Sequence, residues 1–214
     1  DKATNSITLV ADEGAQITVN DPAVGNTVIG SNGKPVSAGV KITNSVFIND
    51  STRLKADGSS KDNVGAAYAN NSATITLNRV NSLSNANISI VGGVDSYTKK
   101  NVGFGLFAEN NAKINAKNNW IKVKDGSTNV ASLNNAEIDL TGATVEYKGK
   151  GYALYTDPSS KTSGAINMQN AKLVLDGKAV GYVHYQDQPN MITVNSGTSI
   201  DILDDDVIVA DLRR

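Results

Sequence analysis

The chain has 214 residues, a formal net charge of −1 and no cysteine. Near-neutral charge leaves no basic footprint for nucleic acid, and the lack of cysteine excludes disulfides and thiolate metal sites. Hydrophobic residues make up 39% of the chain, and no apolar run is long enough to span a bilayer.

From end to end an aliphatic-polar-aliphatic unit returns, introduced by Asn, Gly or Ala. It reads Ala15-Gln16-Ile17-Thr18-Val19, then loosely Lys41-Ile42-Thr43, then Ala73-Thr74-Ile75-Thr76-Leu77. It continues as Ala112-Lys113-Ile114-Asn115-Ala116 and Ala136-Glu137-Ile138-Asp139-Leu140, and closes with Gly164-Ala165-Ile166-Asn167-Met168 and Asn190-Met191-Ile192-Thr193-Val194. The anchors Ile17, Ile42, Ile75, Ile114, Ile138, Ile166 and Ile192 are 25, 33, 39, 24, 28 and 26 residues apart. An internal period in this range signals a solenoid, a propeller or an array. Apolar residues two positions apart follow the strand period, and the wealth of Asn, Gly, Ser, Thr and Asp suits turns rather than helix interiors. The repeat is therefore read as all-β.

Each anchor strand is followed by a second strand at nearly constant distance. Ile121-Lys122-Val123, Val145-Glu146-Tyr147, Leu173-Val174-Leu175 and Ile200-Asp201-Ile202 follow Ile114, Ile138, Ile166 and Ile192. The residues between, such as Lys117-Asn118-Asn119 and Thr141-Gly142-Ala143, suit sharp corners, because Asn and Gly tolerate positive φ. A third strand precedes each anchor: Gly103-Phe104-Gly105-Leu106-Phe107, Val130-Ala131-Ser132-Leu133, Gly151-Tyr152-Ala153-Leu154-Tyr155 and Gly181-Tyr182-Val183-His184-Tyr185, with a weaker copy at Gly65-Ala66-Ala67-Tyr68. Three short strands and three corners make one rung of a parallel β-helix. About seven such rungs, stacked at a strand spacing of about 4.8 Å, predict a column roughly 30 to 35 Å long. A propeller fits the period, but its Trp-Asp and His-containing signatures are missing and the rung length varies by insertion. The spare residues fall at corners, at 21–39, 50–63, 78–86, 92–101, 156–163 and 186–190, and residues 1–214 are read as one β-helical domain.

The small-residue-led Ile-x-Leu rungs, the Gly-aromatic-x-Leu-aromatic strands and the Asn-Gly-Ser-Thr wealth resemble the passenger regions of autotransporter proteins of Gram-negative bacteria. The segments 103–110 and 151–155 resemble rungs of very large autotransporter adhesins. This resemblance implies a right-handed β-helical stalk, carried to the bacterial cell surface by a C-terminal outer-membrane barrel, with adhesion as the common role. Alternating lipid-facing segments of about ten residues with aromatic girdles do not follow Ile192. The resemblance therefore makes this chain part of a longer passenger, linked to the membrane only through that barrel. The partner it implies is a glycan or protein receptor on a host or bacterial cell.

Catalytic motifs are sparse. His184 is the single histidine, and in the strand alignment it joins the row of Leu106, Val130 and Leu154, where filling a rung is the simpler role. No Gly-x-Ser-x-Gly segment occurs, Ser96-Tyr97-Thr98-Lys99 lacks the helix and partner motifs of penicillin-recognising enzymes, and Gly103-Phe104-Gly105 lacks the third glycine of a dinucleotide site. Asp204, Asp205 and Asp206, with Asp201, form an acidic cluster at the end of the last rung. Clustered carboxylates hold calcium or sugar acids in some β-helices, which keeps a polysaccharide lyase or hydrolase as the enzymatic alternative. Without a basic residue at strand spacing, a charged cap on an open solenoid end is the simpler reading. No cofactor is implied.

Candidate recognition residues come from the third strands. Aligning them puts Phe107, Ala131, Tyr155 and Tyr185 in one outward row, while Phe104, Tyr152 and Tyr182 keep inward parity with Leu106. Exposed rings offer large, rigid contact area at low entropic cost. The reading is therefore a non-enzymatic adhesin segment using Phe107, Tyr155 and Tyr185, with the insertions 50–63, 92–101 and 156–163 gathered beside them. A stalk that only spaces a distal binding domain is the alternative in the same architecture.

Overall fold

The computed structural model describes residues 2–4, 7–20, 28–29, 35–36, 42–45, 64–79, 86–94, 100–157, 164–185, 191–195 and 197–213. Among them there is no helix, and the strands repeat in a three-step cycle. The first coil is β1 (Lys2–Thr4), β2 (Ile7–Ala11) and β3 (Gln16–Asn20). A small hairpin of β4 (Val28–Ile29) and β5 (Pro35–Val36) precedes β6 (Ile42–Ser45), β7 (Gly65–Ala69) and β8 (Thr74–Asn78). The third coil starts with β9 (Ile88–Val91), carries a hairpin of β10 (Gly93–Val94) and β11 (Asn101–Val102), and continues with β12 (Phe104–Ala108) and β13 (Lys113–Asn115). Next come β14 (Trp120–Lys124), β15 (Thr128–Ser132) and β16 (Glu137–Asp139), then β17 (Thr144–Lys148), β18 (Tyr152–Tyr155) and β19 (Ala165–Met168). The series ends with β20 (Lys172–Asp176), β21 (Val180–Tyr185), β22 (Ile192–Val194), β23 (Ser199–Ile202) and β24 (Ile208–Arg213).

With the two hairpins set aside, every third strand pairs in parallel with its counterpart one coil away. The result is three parallel sheets: an anchor sheet of six strands from β3 to β22, a second sheet of seven from β1 to β23, and a third sheet of seven from β2 to β24. This is a parallel β-helix with three-strand rungs. Ile17, Ile75, Ile114, Ile138, Ile166 and Ile192 stand in one register on the anchor sheet. Ile138 is 1% exposed while the Glu137 side chain beside it is 62% exposed, so the apolar face points into the coil. The second sheet adds Ile88, Ile121, Val145 and Leu173, and the third adds Ala67, Leu106, Val130 and Leu154, all fully buried. Ile42 is not an anchor. It pairs with Ile88 in the second sheet, because alternation marks a strand but does not say which side of the coil carries it.

Corners follow a chemical rule. Positive φ occurs at Asn118 (59°), Gly142 (69°), Asn170 (49°) and Gly197 (89°) between anchor and second sheets, and at Asp125 (55°), Gly149 (130°) and Gly177 (70°) between second and third sheets. Between third and anchor sheets, paired left-handed residues turn the chain, as at Asn110 (55°) with Asn111 (63°) and Asn134 (49°) with Asn135 (61°). Asparagine adopts this region at lower cost than other non-glycine residues. It also stacks: Asn134 Nδ2 donates to Asn110 Oδ1 at 3.0 Å, and Asn110 Nδ2 to Asn70 Oδ1 at 2.7 Å. At the anchor-to-second corner, a Cβ on Gly142 would overlap the Asn118 side-chain oxygen, so bulk at one coil requires glycine at the next.

The acidic cluster sits elsewhere than at the end of a rung. Asp204–Asp206 form a corner of the second-to-third type, and the chain then enters β24, which pairs with β21. The missed signal is the apolar run Val207-Ile208-Val209. In this last coil the inward positions open: Ile202 is 53% exposed, whereas its register partner Leu175 is fully buried.

Candidate recognition face

The outer surfaces of the three sheets differ in chemistry. On the anchor and second sheets, outward positions carry charge. Lys113 meets Glu137 at 2.9 Å, Lys117 meets Asp139 at 3.2 Å, Lys122 meets Glu146 at 2.6 Å, and Lys148 meets Asp176 at 2.7 Å. In each pair the lysine lies one coil before the acid, so the ladders bind successive coils and satisfy both signs. Burial by itself would raise the Asp139 pKa. The hydroxyl and N–H of Thr141, together with Lys117, outweigh it and hold the carboxyl below its ordinary value.

The third sheet places rings on its outer surface. Phe104 and Phe107 touch with centroids 5.7 Å apart, as do Tyr152 and Tyr155 at 5.3 Å. Residues three apart on a regular strand face opposite ways. Here two consecutive residues turn inward and bring the flanking rings to one side. Leu106 is fully buried, and a Cβ on Gly105 would lie 2.7 Å from the Ile121 Cγ2 atom inside the coil. Ala153 and Leu154 repeat the arrangement, both fully buried in the core. Phe104 and Tyr152 thus lie on the same side as Phe107 and Tyr155, contrary to the parity expected from alternation, and Phe104 is covered there, at 8% exposed.

The predicted row also changes at its last member. Phe107 aligns with Ala131, Ala131 with Tyr155, and Tyr155 with Val183. Tyr185 instead pairs with Arg213, and Tyr182 takes the register of Leu154. The similar spellings Gly151-Tyr152 and Gly181-Tyr182 suggest a different alignment. The actual register follows the corner before them, where the offset of 28 residues between Lys148 and Asp176 passes unchanged to Tyr152 and Val180. The side chains of His184 and Tyr185 lie outside the described residues, as do insertion 50–63 and residues 158–163 of insertion 156–163.

Two ring groups result. In the first, Tyr68 stands one coil before Phe107, with centroids 5.6 Å apart. Phe104 lies over Gly65, where an added Cβ would collide with its ring. The Tyr68 hydroxyl donates to Glu109 Oε1; burial first, then that bond and the charges of Glu109 and Asp12, push the phenol above its ordinary range. Together with Asn101 and Val102 of the β10–β11 hairpin, these rings border a groove of about 430 Å³. Of the 92–101 insertion, Asn101 borders this groove, and residues 95–99 lie outside the described residues. In the second group, Tyr152 borders hollows shared with Lys100, Lys150 and Lys178. Ala131 lies between the groups and is fully buried.

Elsewhere the chemistry is structural. Tyr147 is wholly buried, and its hydroxyl donates to Gly126 O at 2.7 Å, bracing a corner from inside. Asp206 meets Lys178 at 3.5 Å, and its N–H donates to Asp204 Oδ1 at 2.9 Å. Among the described residues no group of three acids or histidines converges to hold a metal ion. On the anchor sheet, Glu137 and Asp139 flank a shallow hollow with Lys113. Both carboxylates are engaged in ion pairs there, Glu137 with Lys113 and Asp139 with Lys117. No protein-family model matches the chain, and neither curated proteins nor solved structures show a significant similarity to it.

Proposed function

We propose that this chain is a non-enzymatic adhesin segment of an autotransporter passenger, displayed on the bacterial cell surface. In this reading the outer face of its third sheet holds a glycan or protein receptor of a host or bacterial cell. The observation that supports it is the pair of ring groups, Tyr68–Phe104–Phe107 and Tyr152–Tyr155, on a face where neighbouring sheets present paired charges. Rings gathered on an outer face of a domain with ample core are a recognition feature, because they lose little rotamer freedom on contact. The Asn, Ser and Lys residues around them supply directional bonds.

Attachment of the purified chain to epithelial and bacterial cells tests this. The wild-type chain attaches, and the double substitution Phe107→Ala with Tyr155→Ala abolishes attachment while the thermal unfolding transition stays cooperative. Attachment that survives the double substitution places the receptor site elsewhere. A wild-type chain that attaches to nothing leaves the stalk role, and the adhesin reading falls.

A further inference from the structure

The two ring groups differ in charge, and the difference selects among ligands. The first groove is bordered by Ile7, Tyr68, Phe104, Phe107, Asn101 and Glu109, and among the described residues no Lys or Arg borders it. Its one charged group among the described residues is an acceptor. Glu109 receives the Tyr68 hydroxyl on Oε1, and Oε2 accepts no bond from a described residue. One N–H of the Asn101 amide donates to the Lys150 carbonyl, which leaves its second N–H and its side-chain oxygen for other partners. The field of Asp12 also reaches Tyr68. Lys100 and Lys150 stand instead around Tyr152, in an adjoining hollow that meets the first groove at Asn101 and Ser127.

We propose that the Tyr68–Phe107–Glu109 groove is a saccharide subsite that takes one neutral or amino hexose and rejects acidic sugars. This proposal rests on the adhesin reading and names the ligand class of its first ring group. The half-buried rings of Tyr68 and Phe107 offer a surface for the apolar C–H face of a pyranose. Phe104 is locked over Gly65, so the floor is ordered before binding and loses little entropy. Sugar hydroxyls and an ammonium group are donors, and the carboxylate of Glu109 is the acceptor that matches them. A sialic acid, uronic acid or sulfate would bring a second negative charge against Glu109, with no cation among the described lining residues to offset it. A groove of about 430 Å³ lies within the size range of small-ligand sites and holds one sugar ring with water.

The test is binding of the whole chain to neutral hexose-terminated, hexosamine-terminated, sialylated and sulfated oligosaccharides, read by calorimetry. The wild-type chain binds the first two and not the last two. Phe107→Ala weakens binding about tenfold or more, as truncation of an aromatic anchor does. Glu109→Gln, which keeps shape and leaves the fold intact, lowers affinity for the hexosamine more than for the neutral hexose. Lys113→Ala, on the far outer face of the anchor sheet, changes nothing. Preferential binding of sialylated or sulfated probes overturns the proposal, and so does hexose binding that is indifferent to both Phe107→Ala and Glu109→Gln. Cell attachment with no saccharide binding overturns the subsite and leaves the adhesin reading standing. Loss of both overturns the two together.

Discussion

The anchor sheet and the third sheet share one kind of parallel ladder but treat their outer faces differently. On the anchor sheet, Ile138 goes in and Glu137 goes out to Lys113, in strict alternation. On the third sheet, Gly105 and Leu106 both go in, and Phe104 and Phe107 meet outside. The first arrangement holds coils together and repeats from coil to coil. The second breaks the alternation and creates a face that varies between coils, which is what selective binding requires. Regularity stabilises a solenoid, and departure from it is where recognition has room to develop.

The largest effect is expected inside the regular part. Ile138 sits between Ile114 and Ile166 in register, so Ile138→Ala should cost about 2 to 5 kcal/mol, since the close-packed stack cannot collapse into the space left. Urea unfolding measures this, and a change near zero would mean that the row does not form one stack. A smaller loss should follow at the bend. A Cβ on Gly105 would press within 2.7 Å of Ile121 Cγ2 and of the Asn129 carbonyl. Gly105→Ala should therefore cost about 1 to 3 kcal/mol and disturb the Phe104–Phe107 pair, detectable as a changed near-ultraviolet circular dichroism signal. Unchanged stability and spectrum would deny the inward turn of Gly105.

The smallest of these effects belongs to the charged ladders. Asp139 has a folded pKa below its ordinary value, so its contribution is complete at neutral pH and is lost as pH falls through the ordinary carboxylate range toward that lower value. Asp176 shifts the same way, chiefly through its hydrogen bond to Lys148. Because Asp139 is partly exposed, Asp139→Asn should remove only about 1 kcal/mol at pH 7, and proportionately less near pH 3. Equal losses at both pH values would show that the carboxylate charge plays no part.

The fold was legible because a β-helix writes itself as a period. Alternation around Ile75, Ile114, Ile138 and Ile166 implied strands, and Asn118, Gly142 and Asn170 marked corners where positive φ was in fact found. The site was only partly legible. Phe107 and Tyr155 are on the outer face as the alignment indicated, and Tyr68 and Glu109 were not singled out at all. Their association depends on a partner one coil away, 41 residues distant along the chain.

Local sequence thus determined which segments are strands, which residues turn corners and which side of the anchor strands is apolar, since these follow from backbone preferences and period-two patterning. Tertiary structure decided three further matters. Ile42 could belong to any sheet until the coil closed around it. Tyr185 left the ring row because register is transmitted through corner length and not through similar spelling. Phe104 and Tyr152 turned outward because the third strand bends where Gly105 and Ala153 give little side chain to hold inside. All three depend on how one coil rests upon the next, and that contact lies tens of residues away from the residues it controls.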